Sequence, residues 1–231
     1  MNYQEFIQTT NISKERLYRE IYQANRDKIQ VKKEATVVRN LGRIFDATLK
    51  LSNEKGFQAM SMRDFSRETG LSLGALYAYF ASKEELFEMI LRQGRKLVMT
   101  VLEVHLATAR DPAEKLEAAI RLHLYLTEAL QPWFYFSFME AKNMNPAEKE
   151  KTIESEMATD RLFAAILDAG QRAGLFRPRN TTLSAGVIKA LLQDWYVKRW
   201  KFTRRGIDVD SYADFVLSYV MSFHRDDRKE C

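Results

Sequence analysis

The chain has 231 residues, 46% of them hydrophobic and 29% charged, with 36 Lys+Arg against 31 Asp+Glu and a net charge of +5. That apolar content excludes a disordered chain, and the length suffices to bury a sizeable core in one or two domains. No apolar run approaches the ~18 residues of a bilayer span, the first residues lack the basic-then-apolar order of a signal peptide, and the single Cys231 cannot form an internal disulfide; no membrane association and a reducing cytoplasm are expected.

The excess charge is unevenly spread. Residues 1–100 hold 17 Lys+Arg and 12 Asp+Glu, whereas residues 101–231 hold 19 of each. A surface that meets nucleic-acid phosphates needs such a surplus, because cationic contacts release counterions. A solvated basic surface gives the same count.

Ser13 to about Gln30 has helical spacing, with Leu17, Ile21 and Ala24 on one stripe, and Lys32, Lys33 and Arg39 follow. This segment is either an extra DNA-contacting arm or a helix packed on its own or a partner subunit, and the apolar stripe favours packing. Leu41, Ile44, Phe45, Thr48 and Leu51 then keep a helical period up to Gly56, which ends that helix as its C′ residue. Ser61 and Asp64 form a capping box for a helix over Met62–Thr69. Gly70 gives a turn, and a further helix is expected over Leu73–Phe80.

Two short helices joined in this way form a helix-turn-helix, whose second helix enters the DNA major groove while the first crosses the backbone. Phe65, Leu71, Leu76 and Phe80 take the inward positions, and Ser72, Leu73, Gly74, Ala75, Tyr77 and Tyr79 the outward ones. Gly74 and Ala75 let the backbone approach base edges and thymine methyls, while Tyr77 and Tyr79 can donate hydroxyls to phosphates. A small helical hairpin inside an ordinary core is the competing explanation. Exposed tyrosines beside small residues argue against it.

Ser82 and Glu85 cap a long helix with Leu86, Ile90, Leu97 and Val101 on its buried stripe. Asp111-Pro112 and Asn145-Pro146 mark two more helix starts, each a cap residue followed by proline at the first helical position. Between them, Pro132–Met139 place six large apolar side chains in eight positions, which is expected to bury the segment nearly all round. Core packing explains this segment, and so does a hydrophobic ligand pocket lined by some of Trp133, Phe134, Phe138, Met139, Phe163, Leu167 and Trp195. Glu140 and Asp194 are candidate polar anchors for such a ligand. Gly174 closes the helix from Pro146, and helices over about 182–204 and 210–224 complete the chain. With no hairpin signal and no strand alternation, the fold is all-α with nine or ten helices.

The stretch from Arg43 to Leu91 resembles the tetracycline-repressor (TetR) family of bacterial regulators. The shared elements are the helix-ending EKGF at Glu54–Phe57, the S-M-R-D-F start at Ser61, the T-G-L-S turn at Thr69, the L-Y-x-Y-F core ending at Phe80 and the S-K-E-E-L start at Ser82. The resemblance implies a three-helix DNA-binding domain over 39–84 and a larger helical ligand-binding and dimerisation domain over 85–231; the helical extension over 1–38 is unusually long for a segment ahead of this motif. By position, Ser61 and Arg63 would contact phosphates, Ser72, Tyr77 and Tyr79 would contact phosphates and neighbouring base edges, Lys83 would pin the backbone, and Leu73 and Gly74 would face bases. Leu73 departs from the Lys or Arg of many relatives; it can meet a thymine methyl but cannot grip guanine.

The resemblance further implies a homodimer built on the last two long helices and an inducer pocket in the second domain. The expected function is a ligand-responsive repressor of a double-stranded DNA operator, released by a hydrophobic small molecule such as a fatty acyl compound. His105, His123 and His224 lie far apart without metal-ligand spacing, and no phosphate-binding or nucleophile motif occurs. No catalytic residue, metal or cofactor is therefore expected. The alternative is an all-α carrier or enzyme for a lipophilic molecule with a non-functional DNA module.

Overall fold

The computed structural model describes residues 1–10 and 14–225; the expected helix start at Ser13 and the terminal Cys231 lie outside them. The helices are α1 (Tyr3–Thr10), α2 (Lys14–Ala24), α3 (Glu34–Lys55), α4 (Met62–Thr69), α5 (Leu73–Tyr77), α6 (Lys83–Leu106), α7 (Pro112–Ala129), α8 (Gln131–Met139), α9 (Pro146–Arg172), α10 (Thr181–Val197), α11 (Arg199–Arg204) and α12 (Val209–His224), with a 3₁₀ turn over Ala141–Asn143. The fold is all-α: among the described residues the β pairing is one isolated bridge, Phe176 with Arg225. None of these helices is long and apolar enough to cross a membrane.

Local chemistry sets most of the boundaries. Ser61 and Asp64 make the reciprocal capping box at α4. Asp111 Oδ1 accepts from the amides of Ala113 and Glu114 at α7, and Asn145 Oδ1 accepts from Glu148 N–H at α9. Gly56, Gly70 and Gly174 all have positive φ just beyond helix ends. One expected helix is divided: at Lys198 the backbone leaves the helical region (φ −117°, ψ 36°), separating α10 from α11. Phe202 of α11 then packs on Trp195 and Tyr212, with ring centroids 4.9 and 4.7 Å apart.

The chain forms two compact units. The first comprises Thr10–Leu97 and Pro132–Glu148, so it holds α2, α8 and the beginning of α6 as well as α3–α5. Its core joins the α3 stripe of Leu41, Ile44, Phe45 and Leu51 to Phe65, Leu76, Phe80, Leu86 and Ile90. The expected helix in the amino-terminal extension packs rather than projects: Tyr18 of α2 lies against Gly42, where a Cβ would stand 3.0 Å from its ring, and meets Phe45 edge-on at 5.5 Å.

The second unit comprises Met1–Thr9, Val98–Gln131 and Lys149–Cys231. Here α1 seats Phe6 beside Tyr125, and Tyr125 donates its hydroxyl to Asp210 at 2.6 Å. His123 lies in this interior, and burial together with the Lys189 charge holds its imidazole well below the ordinary histidine range. The unfolded chain therefore takes up a proton that the folded state refuses. Stability is expected to fall as pH drops below about 6.5, by up to about 1.4 kcal/mol per pH unit. Urea midpoints measured from about pH 7.5 down to about pH 5.5 check this. His123→Gln should flatten the acid limb, only in part because His224 is shifted the same way by burial and Arg179; an unchanged limb would clear His123 of the effect.

Candidate DNA interface

Helices α4 and α5 are joined by a turn that its own side chains hold. Gly70 adopts φ 66°, Thr69 Oγ1 donates to Phe65 O at 2.6 Å, and Ser66 Oγ donates to Leu71 O at 2.7 Å. Ser72 caps α5 by accepting from Ala75 N–H at 3.2 Å. Phe65, Leu76 and Phe80 face the core. Ser61, Arg63, Ser72, Leu73, Gly74 and Tyr77 are exposed, so one surface carries small, hydroxyl and aromatic groups with no side chain above Gly74. That surface lets a duplex approach the α5 backbone closely.

Two expected contacts sit differently. Tyr79, expected on the outward face, is only 2% exposed, and its hydroxyl accepts from Asn40 Nδ2 at 2.8 Å. The cause is an early end to α5 at Tyr77: Gln30 N–H takes the carbonyl of Ala78 at 2.9 Å, and the chain turns Tyr79 inward. Lys83 is half-buried. Its ammonium donates to the carbonyls of Phe57, Gln58 and Met60 at 3.1–3.3 Å, tying the start of α6 to the α3–α4 connection.

The ion pairs sort the cations of this unit. Lys14 pairs with Asp46, Lys50 with Glu68, and both Lys55 and Arg67 with Asp64. Lys55 and the Ser61 donors hold the Asp64 carboxyl well below the usual carboxylate range. Arg39, Arg43 and Arg63 form no ion pair or hydrogen bond among the described residues, and all three are exposed. Arg43 lies over the turn itself: a Cβ at Gly70 would stand 2.9 Å from its Nη2. Sequence reasoning left Arg43 out of the contact set. Its signal was the four-residue spacing from Arg39, on the side of α3 opposite the Leu41–Ile44–Phe45 stripe.

The residues expected to line a pocket divide between the units. Trp133, Phe134, Phe138 and Met139 lie in the first, while Phe163, Leu167 and Trp195 are buried in the second. The α8 segment is not buried all round. Phe136 is buried against Phe57 and Phe87, and Trp133 Nε1 donates to Ile90 O at 3.1 Å, filling a notch where a Cβ on Gly94 would come within 1.9 Å. Phe138 and Met139 are exposed. Glu140 is no free anchor: its carboxylate accepts from Ser52 Oγ, Phe57 N–H and Asn143 Nδ2. Asp194 is likewise engaged. Burial raises its pKa, but hydrogen bonds from Lys201 and Lys198 outweigh that and hold it below the usual range.

In the second unit, α10 and α12 each carry an outward apolar stripe. Leu183 and Val187 on α10 and Phe215, Tyr219 and Phe223 on α12 are all exposed, at four-residue spacings that align each set on one stripe. Gly186 adds open space beside Leu183 and Val187. Trp195 and Val216, on the same two helices, point inward and are buried.

Two family models match the chain. Bacterial regulatory proteins of the tetR family match residues 44–90, and the tetracyclin repressor-like C-terminal domain matches residues 109–222. The HTH-type transcriptional repressor KstR2 of Rhodococcus jostii (strain RHA1) is 27% identical over 182 residues, which is 77% of this chain and 87% of that protein. The solved ketosteroid transcriptional regulator KstR2 of Mycobacterium tuberculosis superposes with a TM-score of 0.72 at 19% identity, over 86% of this chain and 98% of that one. AibR, solved in complex with isovaleryl coenzyme A and operator DNA, superposes with a TM-score of 0.69 at 18% identity, over 78% of this chain and 97% of that one. The two family matches take in the helix-turn-helix and the carboxy-terminal helices alike, and the chain belongs to the TetR family of bacterial transcriptional regulators.

Proposed function

We propose that this regulator is a homodimeric repressor that grips an operator duplex through α4 and α5 and is released by a hydrophobic effector of the acyl-coenzyme A class. The observation that carries the DNA reading is the exposed Ser72–Tyr77 surface flanked by three unpaired guanidinium groups, Arg39, Arg43 and Arg63. Unpaired guanidiniums keep their full charge and their planar donor fork for phosphate oxygens. Ser72 and Tyr77 add hydroxyl donors, while the Ser61 hydroxyl is given to Asp64 and sets the start of α4; Leu73 and Gly74 face the groove floor, Tyr79 supports α5 from behind, and Lys83 holds the loop that precedes α4.

The effector class is supported by the complex of AibR with isovaleryl coenzyme A and by the aromatic interior of the second unit around Phe163, Leu167 and Trp195. An effector releases the operator only if it binds the released conformation more tightly than the DNA-bound one. Helix α6 is one route for that preference, since its residues up to Leu97 belong to the first unit and those from Val98 to the second.

Affinity for an operator-length duplex is expected to fall steeply with salt, and Arg43→Gln and Arg63→Gln, each present in both subunits, should each flatten the log–log slope by about 1.8. A slope that neither variant changes would remove these groups from the interface. Stearoyl and isovaleryl coenzyme A, titrated at fixed salt, should weaken duplex binding; unchanged affinity at saturation would reject the effector class.

A further inference from the structure

Residues 198–205 carry Lys198, Arg199, Lys201, Arg204 and Arg205 without a single acid. The even balance of 19 cations and 19 anions over residues 101–231 conceals this cluster. Three of the cations are engaged. Arg199 makes a two-point pair with Glu128 at 2.8 and 3.0 Å, and Lys198 and Lys201 both bind Asp194. Arg204 and Arg205 are exposed and have no carboxylate partner among the described residues. Beside them Trp200 is 61% exposed, with the Arg204 guanidinium 5.5 Å from its ring centroid.

Trp200 adds nothing to the core, which α10 and α11 build from Trp195 and Phe202. A largely exposed indole with one guanidinium at its ring and a second exposed arginine next to it in sequence suits a ligand with a flat ring and phosphates on one scaffold. A DNA duplex offers phosphates, but its bases are stacked on one another and present only their edges. A free nucleotide offers both the phosphates and an unstacked ring.

We propose that Trp200, Arg204 and Arg205 bind the 3′-phospho-ADP half of a coenzyme A thioester, with the indole stacking on adenine and the two guanidiniums taking phosphates. The proposal rests on the effector class argued above and assigns its charged end to this corner. Since Phe202 of α11 packs directly on the buried Trp195, the nucleotide sits at the rim of the aromatic cluster of the second unit.

Equilibrium dialysis of the full-length protein against free coenzyme A and dephospho-coenzyme A tests the site. Wild type should bind coenzyme A, and more tightly than the dephospho form. Trp200→Ala and the double variant Arg204→Gln/Arg205→Gln should each weaken binding by about tenfold or more, with the duplex salt slope unchanged. Wild-type indifference to coenzyme A, or variants that bind it like wild type, would overturn the proposal. So would a slope flattened by about 3.6 in the double variant, two groups lost from each of two subunits, which would make this corner a DNA contact. Release of duplex by stearoyl coenzyme A, read in the same proteins, separates this idea from the one beneath it. Wild type and double variant released at one concentration would sink the nucleotide site and keep the effector class. Wild type that holds coenzyme A at this corner but is released by no thioester would sink the effector class and keep the site.

Discussion

Phe215→Asp is expected to split the dimer into folded monomers and to cost more than about a hundredfold in affinity for a duplex with two half-sites. Phe215 is 70% exposed and Leu183 69% exposed, so both spend their apolar surface on water in the single chain. With Val187, Tyr219 and Phe223 they make an exposed apolar stripe on each of α10 and α12, the kind of surface that marks association. In a two-fold dimer each side chain appears twice, so every substitution counts twice. Losing the burial of one phenylalanine is worth about 1.5–3 kcal/mol, and a carboxylate buried without a partner adds several more. Two copies together exceed about 4 kcal/mol, or about a thousandfold in the dimer dissociation constant.

Sedimentation equilibrium reads the association directly. Circular dichroism should show an intact fold, because Phe215 lies outside the core built on Trp195 and Val216. A single helix-turn-helix then faces a single half-site, and the advantage of two linked sites disappears. Binding to a duplex with one half-site should change little, which separates lost dimerisation from a damaged reading head. A variant that still sediments as a dimer would move the interface away from α10 and α12.

What the sequence made legible follows the range of the forces involved. Caps at Ser61, Asp111 and Asn145 and the turn at Gly70 are decided within four residues, so their residue types name them. Tyr79 is decided at long range by Asn40, 39 residues upstream, and by a Gln30 amide that ends α5 early. The notch at Gly94 becomes intelligible only once Trp133 is known to fill it. Composition around α8 read as all-round burial because apolar counts say how much surface is available and not which face meets a partner. Arg43 escaped notice for the same reason: its role is defined by the turn it overlies, not by its neighbours in sequence.

Glu140→Ala is expected to destabilise the first unit by about 3 kcal/mol, because a buried carboxylate that serves several donors leaves each of them unpaired when it is removed. Glu140 is 4% exposed, and its Oε1 accepts from Ser52 Oγ at 3.0 Å and from Phe57 N–H at 2.9 Å. Phe57 is also held from its other side, since its carbonyl accepts from Lys83 at 3.1 Å. The connection between α3 and α4 is therefore clamped by residues that follow α8 and that open α6, and the clamp sets where α4 begins. Glu140→Gln keeps acceptor oxygen at the site and should cost about 1 kcal/mol. Urea unfolding monitored by circular dichroism gives both values. At temperatures where both variants remain folded, the alanine protein should also bind duplex more weakly at an unchanged salt slope, because the arginines proposed to meet phosphate are untouched while the helix they flank is less firmly set. An alanine variant within about 0.5 kcal/mol of wild type would show that the three donors find water instead, and that the start of α4 is fixed by its own capping box.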